Sequence, residues 1–253
     1  MRLIVCNDRE DAASRLADLL AEALIAQPAI NLGLSAGTTS VLAYIQLVRR
    51  FHAGGFSFRQ ATTFNTDEYI GLKPTDHRST RYVMNANLFY LVDIPREQTF
   101  VPRGDVSDLE AECKAFDLLI AARGGLDLVV LGLGHNGHVG LNEPGSSPRS
   151  RTRVVQLTAS TLAAVSSGER FRSVDEVPPQ AISMGMAQIL EARRVLLIAT
   201  GLGKAEAVSR MLTARASPGV PASLLTGHPD CVLIADHAAL GQTPKELVAS
   251  LSA

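Results

Sequence analysis

Short apolar runs alternate along this chain with longer stretches whose apolar positions recur at helical spacing. The runs Leu3–Cys6, Ile30–Leu34, Ala61–Phe64, Leu126–Leu131, Val154–Leu157, Val195–Thr200 and Cys231–Ala235 predict strands. Between them, Glu10–Gln27 places Ala13, Leu16, Leu20, Ala23 and Leu24 on one helical face, and Pro28 closes that helix. A second helix carries Val41, Leu42, Tyr44, Ile45 and Val48; Arg81–Leu91, Asp108–Arg123, Met184–Glu191 and Lys204–Leu212 predict four more. Strands that are apolar without alternation are buried on both faces, which predicts an α/β fold with a mostly parallel sheet wrapped by helices.

No repeat, low-complexity tract or linker interrupts this order, so one domain over residues 1–253 is expected. In open parallel sheets ligands bind beyond the carboxyl ends of the strands, so the loops there are where chemistry is sought.

Composition narrows the classes. With 46% hydrophobic and 19% charged residues, the chain has enough apolar material to fold without staples. A net charge of −1 lacks the basic excess of a nucleic-acid binder and offers nothing to an acidic membrane. No apolar stretch approaches the ~20 residues of a membrane-spanning helix. Met1–Asn7 is too short and too quickly polar for a signal peptide. Cys6, Cys113 and Cys231 are isolated, without C-x-x-C spacing, which points to a reducing compartment and a cytoplasmic protein.

Four strand-end loops carry candidate chemistry. In Leu32–Thr39, Gly37, Thr38 and Thr39 lead into a helix, a cradle for phosphate if the helix amides are free; a strand–helix turn with a Ser/Thr N-cap is an equal reading. In Phe64–Tyr69, Asp67 and Glu68 are adjacent, and extended backbone would aim only one of them into a pocket. By position alone both read as solvated turn acids.

The third loop, Gly132–Gly145, formally contains G-x-G-x-x-G. Gly140, Pro144 and Gly145 forbid the helix that a dinucleotide site requires, and the next strand does not end in an acid. His135 and His138, in a glycine-rich loop rather than on one helical face, predict no metal site. His138 and Glu143, set among glycines without bulky neighbours, instead suit acid–base work, and the Glu143–Arg149 piece reads as an active-site loop. The fourth loop ends in Lys204, which suits a phosphate partner or is a surface lysine. No serine or cysteine occupies a nucleophile elbow.

Taken together, Leu32–Thr39, Phe64–Leu72 (FNTDEYIGL), Arg81–Phe89 (RYVMNANLF), Asp127–Ser147 (DLVVLGLGHNGHVGLNEPGSS), Ala181–Gly185, Thr200–Val208 (TGLGKAEAV) and Pro221–Pro229 (PASLLTGHP) resemble the glucosamine-6-phosphate deaminase family, in its order and over nearly the whole chain. The resemblance implies a modified Rossmann-like three-layer α/β/α fold. It also implies conversion of an amino-hexose 6-phosphate and water into a ketohexose 6-phosphate and ammonia, without metal or organic cofactor. By the same resemblance, His138 opens the sugar ring assisted by Asn136 and Glu143, Asp67 moves the C2 proton to C1, and Gly37, Thr38, Thr39 and Lys204 grip the phosphate.

Three departures follow. Asn136 stands where some members have aspartate, so His138 is expected to lack a charged orienting partner. The family's phosphate-binding arginine falls near Ser167, with Arg170 or Arg172 as substitutes. That gap, together with Gly124–Asp127 and His135, also resembles galactosamine-6-phosphate deaminase/isomerase relatives, leaving the epimer open. Val155 stands where allosteric members carry lysine and the chain ends early beside them, so activation by N-acetylglucosamine 6-phosphate is not expected.

The competing readings are 6-phosphogluconolactonase, which shares the loop architecture, and a non-catalytic sugar-phosphate sensor. Asp67-Glu68-Tyr69 and Asn142-Glu143-Pro144 favour the deaminase over the first. The second usually carries a helix-turn-helix domain, which this sequence lacks. Partners are thus expected to be a small sugar phosphate, with neither nucleic acid nor membrane, and a homo-oligomer is left open.

Overall fold

The computed structural model describes residues 1–167 and 170–252. The apolar runs become strands β1 (Arg2–Cys6), β2 (Asn31–Leu34), β3 (Thr62–Asn65), β6 (Leu128–Gly132), β9 (Arg194–Ala199) and β10 (Cys231–Asp236), joined by the short β5 (Thr99–Phe100). They form a seven-stranded sheet, all of whose pairings are parallel, in the order β1-β10-β9-β6-β2-β3-β5.

Alternate residues on these strands feed two cores. Leu32, Leu34, Leu128, Val130, Leu196, Ile198, Val232 and Ile234 pack on one side, under α1 (Arg9–Ala26) and α2 (Thr38–Ala53). Val129, Leu131, Val195, Leu197, Leu233 and Ala235 pack on the other. There they meet α4 (Leu109–Ala122), α6 (Met186–Glu191), α7 (Ala205–Thr213) and, more loosely, α8 (Lys245–Ser252). The result is the expected three-layer α/β/α arrangement.

A second, three-stranded antiparallel sheet pairs β4 (Asp67–Tyr69) with β8 (Gln180–Ser183), and β8 with β7 (Arg153–Gln156). Its apolar side is a third cluster that includes Tyr69, Leu141, Val155, Leu157, Phe171 and Ala181. The segment expected as a single helix over Arg81–Leu91 is a short α3 (Thr80–Met84) running into a π-helical turn, Asn85–Phe89. After β7 comes α5 (Ala159–Ser166), capped by Thr158, whose side chain accepts from the Thr161 amide. No helix among the described residues is long and apolar enough to cross a membrane.

Candidate functional site

Loops beyond the carboxyl ends of β1, β10, β9, β6, β2 and β3 enclose a cleft of about 560 Å³. Asp67, His138, Gly37, Thr38, Thr39 and Lys204 all line it, as do Arg9, Tyr69, His135, Thr161, Arg170 and Asp236. The isolated His77 is exposed beside Asp76 and does not line the cleft. Asn136 and Glu143 stand behind His138 rather than in the lining, and the Gly/Pro/Ser-rich segment after Glu143 contributes nothing to it either, which corrects its reading as an active-site loop. That segment serves the scaffold instead: Ser146 accepts from Arg153, and the Gly145 amide donates to the Pro218 carbonyl.

The two adjacent acids divide as β-geometry requires, and neither is a solvated turn residue. Asp67 opens β4, pairs across to Ser183, and accepts from the Thr66 hydroxyl at 2.7 Å. Burial raises its carboxyl above the usual range, against the pull of Thr66, Arg170 and His138. Glu68 points the other way and is buried. Its Oε1 accepts the amides of Tyr69 and Thr80, each at 2.8 Å, and its Oε2 the amide of Arg81 at 3.1 Å. Burial pushes Glu68 up to about 7, although those amides and Arg170 oppose the rise.

His138 sits in a polar relay. The Glu143 carboxylate has no proton to give, so the Asn136 amide turns its Nδ2 toward Oε2, donating at 2.6 Å. Asn136 Oδ1 then accepts from the His138 backbone N–H at 3.2 Å and from Nδ1–H at 2.9 Å. That fixes the tautomer: Nδ1 carries the proton and Nε2 keeps its lone pair. The missing aspartate therefore does not leave His138 without a charged neighbour, because Glu143 Oε2 lies 3.6 Å from Nδ1. The ring's place also depends on Gly134, where a Cβ would sit inside the imidazole, and on the left-handed turn at Gly137 (φ +88°).

Glu143 is itself enclosed, its side chain 10% exposed beside that of His138 at 15%, which corrects the expectation of a pair without neighbours to bury it. Its Oε1 accepts the Thr158 amide at 3.0 Å, at the start of α5. Burial alone would raise its pKa, but the neighbouring His138 and Thr161 and the Thr158 amide outweigh that and hold it down at about 2. Asn142 is a scaffold residue: Nδ2 donates to the carbonyls of Val139 and Met184, and Oδ1 accepts from Arg153.

Of the two readings of the Leu32–Thr39 loop, the Ser/Thr cap of α2 is absent. Its N-cap is Gly37, with no side-chain capping bond, so the first-turn amides are free. From below, the loop is fixed by the Ser35–Ser40 hydroxyl pair (2.8 Å) and by Tyr44 Oη donating to the Ser35 carbonyl (2.8 Å). An uncapped N-terminus of a 16-residue helix facing a cleft is an anion-binding device. Lys204 is half-buried there rather than a surface lysine, and burial lowers its ammonium to about 8. Its Nζ lies 3.4 Å from His135 Nδ1.

Of the two substitute arginines, Arg170 lines the cleft and Arg172 does not. Arg170 Nε donates to the Arg78 carbonyl at 2.6 Å and Nη2 to Thr80 Oγ1 at 3.0 Å, with the guanidinium 5.2 Å from the Tyr69 ring centroid. The motif reading missed Asp236, whose carboxylate accepts the amides of Gly201 and Ala239 and so anchors the Lys204 loop. Its position just after the strand run Cys231–Ala235 was the available signal. Among the described residues no group of three or more His, Cys, Asp or Glu side chains is arranged to hold a metal ion.

Comparison with known proteins points to one family. The profile of the family described as glucosamine-6-phosphate isomerases/6-phosphogluconolactonase matches residues 8–233. A glucosamine-6-phosphate deaminase of Rhodopirellula baltica is 46% identical over 235 residues, 93% of each chain. One of Bacillus velezensis is 42% identical over 241 residues, 95% of this chain and 99% of the relative. Among solved structures, a monomeric glucosamine-6-phosphate deaminase superposes with a TM-score of 0.93 at 38% identity, covering 96% of this chain and all of that one. A 6-phosphogluconolactonase from Trypanosoma brucei shares the fold, with a TM-score of 0.78 at 19% identity, covering 96% of this chain and 98% of that one.

Proposed function

We propose that this chain, which belongs to the family of glucosamine-6-phosphate isomerases and 6-phosphogluconolactonases, is a glucosamine-6-phosphate deaminase. It converts glucosamine 6-phosphate and water into fructose 6-phosphate and ammonia. The observation that carries this reading is the lining of one cleft. It is lined at once by a carboxylate, a histidine with a free Nε2, an uncapped helix terminus and cations. Relatives 42–46% identical over nearly full length bear the deaminase name, which favours this activity over the lactonase that shares the fold.

The free amides of α2, the hydroxyls of Thr38 and Thr39, Lys204 and Arg170 hold the sugar's phosphate. Binding energy from that remote group orients the reacting carbons. His138 Nε2 takes the proton of the anomeric hydroxyl and returns one to the ring oxygen, opening the sugar. The imidazolium formed in passing is stabilised by Glu143, directly across 3.6 Å and through Asn136. Asp67 then removes the C2 proton to give an enolamine and delivers it to C1. Water adds at C2 of the resulting imine, and ammonia leaves.

Three unpaired, buried cysteines fit a reducing cytoplasm. The likeness to a monomeric deaminase supports a monomer, for which elution from a sizing column at 26.9 kDa is the expected result. Val155 is buried in the apolar cluster of the small sheet and presents no cation to an effector, so hyperbolic kinetics without response to N-acetylglucosamine 6-phosphate are expected.

The test is direct. The purified protein is given glucosamine 6-phosphate, galactosamine 6-phosphate or 6-phosphogluconolactone, and ammonia, ketose phosphate and acid are measured. Ammonia and fructose 6-phosphate in equal amounts from the first support the reading. Acid from the lactone without ammonia from either amino sugar would replace it with the lactonase, and binding without turnover would replace it with a sensor.

A further inference from the structure

Glu68 is a buried carboxylate beside the catalytic Asp67, and the chemistry above makes no use of it. Its three acceptor bonds converge on two neighbouring pieces of backbone. One is β4 at Tyr69; the other is the start of α3 at Thr80 and Arg81. Those same pieces are the seat of Arg170. The guanidinium rests against the Tyr69 ring, donates to Thr80 Oγ1, and donates to the Arg78 carbonyl two residues earlier. Arg78 is secured in turn, its guanidinium and amide all bonded to Asp76. The ring, the hydroxyl and the carbonyl that Arg170 meets thus belong to three residues whose own amides Glu68 or Asp76 holds.

We propose that Glu68 is a positioning residue for the anion grip: by tying Tyr69 to the first turn of α3, it holds the seat from which Arg170 reaches the substrate phosphate. The inference rests on the reading of the cleft as a sugar-phosphate site and adds the second acid of the Asp67-Glu68 pair to it. An arginine presents donors in a rigid fork, so its contribution depends on where the fork is seated. Glutamine at position 68 keeps the volume but has one acceptor oxygen where three amides require two, so the seat opens on one side.

Glu68→Gln should raise KM for glucosamine 6-phosphate about tenfold, the scale of one lost hydrogen bond to a charged group, with kcat changed less than about twofold. Inorganic phosphate, measured by calorimetry, should weaken by the same factor, since it needs only the grip. In an Arg170→Ala background, Glu68→Gln should add less than about twofold, because the group it positions is gone. Thr80→Val removes the hydroxyl that receives Arg170 while keeping the shape, and should raise KM in the same direction. No change in that variant would overturn the seat even if Glu68→Gln fails to fold.

A folded Glu68→Gln protein with a lower Tm but an unchanged KM would reduce Glu68 to a helix cap and overturn the proposal. So would an equal rise in KM with and without Arg170. Phosphate binding that weakens on Glu68→Gln in a protein releasing no ammonia would keep the grip and discard the deaminase. Ammonia release with equal phosphate affinity in both proteins would do the reverse.

Discussion

Asp67 and Glu143 are carboxylates in one site, but their surroundings push them in opposite directions, and stability and activity should separate accordingly. Burial raises the Asp67 pKa, so the folded protein holds that proton more tightly than the unfolded chain does. Stability from this group therefore falls as pH rises from the ordinary carboxylate range through the raised value, and at pH 7 the charge is a cost. Asp67→Asn should thus lose about 10²–10⁴ in kcat, the worth of a positioned base, while melting at a higher temperature than the parent. Parallel ammonia assays and thermal scans at pH 7 check both halves, and a lower Tm would contradict the burial argument. Glu143 is the converse. Held near 2 against an ordinary 4.5, it contributes stability that is complete above about 4.5 and is lost as pH falls toward 2. Glu143→Gln should cost on the order of 2–3 kcal/mol at pH 7 and flatten the acid limb of the stability curve. Urea titrations between pH 3 and 7 would reveal whether it does.

Elements whose apolar run matches their burial were legible, and a short polar strand that only its partner defines was not. Val129, Leu131, Val195 and Leu197 are apolar because both faces of a central parallel strand are covered, and no turn chemistry was needed to find them. The three residues of β4 read as a polar loop, since their partners Ala181, Ile182 and Ser183 lie more than a hundred positions away. The same blindness made both acids look solvated. Arg81–Leu91 read as one helix because spacing does not register the π turn that follows Met84. At α2, the choice between cap and cradle depended on which residue became the N-cap, a matter of one position. On the proposed reading, Gly37 opens the phosphate grip and Lys204 is its titrating member. Its ammonium, lowered to about 8 by burial, is charged below that pH and neutral above it in the unliganded protein. KM should therefore climb as pH rises past about 8 in the parent and stay flat there in Lys204→Arg, whose charge persists. Initial rates from pH 6 to 9.5 discriminate; a parallel climb in both proteins would remove Lys204 from the phosphate grip.

Across the whole molecule, the cleft exists only when strands far apart in sequence lie in register. Asp67 follows β3, His138 follows β6, Lys204 follows β9 and Asp236 ends β10, while the small sheet braces Asp67 against Ser183. No part of the unfolded chain can reproduce that convergence, so a ligand of the cleft binds the native state alone and must stabilise it by mass action. Fructose 6-phosphate suits the measurement because without ammonia it cannot turn over. At a hundred times its Kd it should add about 2.7 kcal/mol, which for a chain of this size moves Tm upward by roughly 5–10 °C. Fructose at the same concentration should give almost none of that shift, because the phosphate supplies the anchoring. In Lys204→Met the rise of Tm should begin at a higher fructose 6-phosphate concentration and then follow the same slope against its logarithm. The comparison separates a cleft that grips phosphate from one that merely accommodates a sugar. If fructose stabilises as well as its phosphate does, the cations and free amides around Gly37 are not the anchor, and the orientation of substrate along the cleft must be reversed.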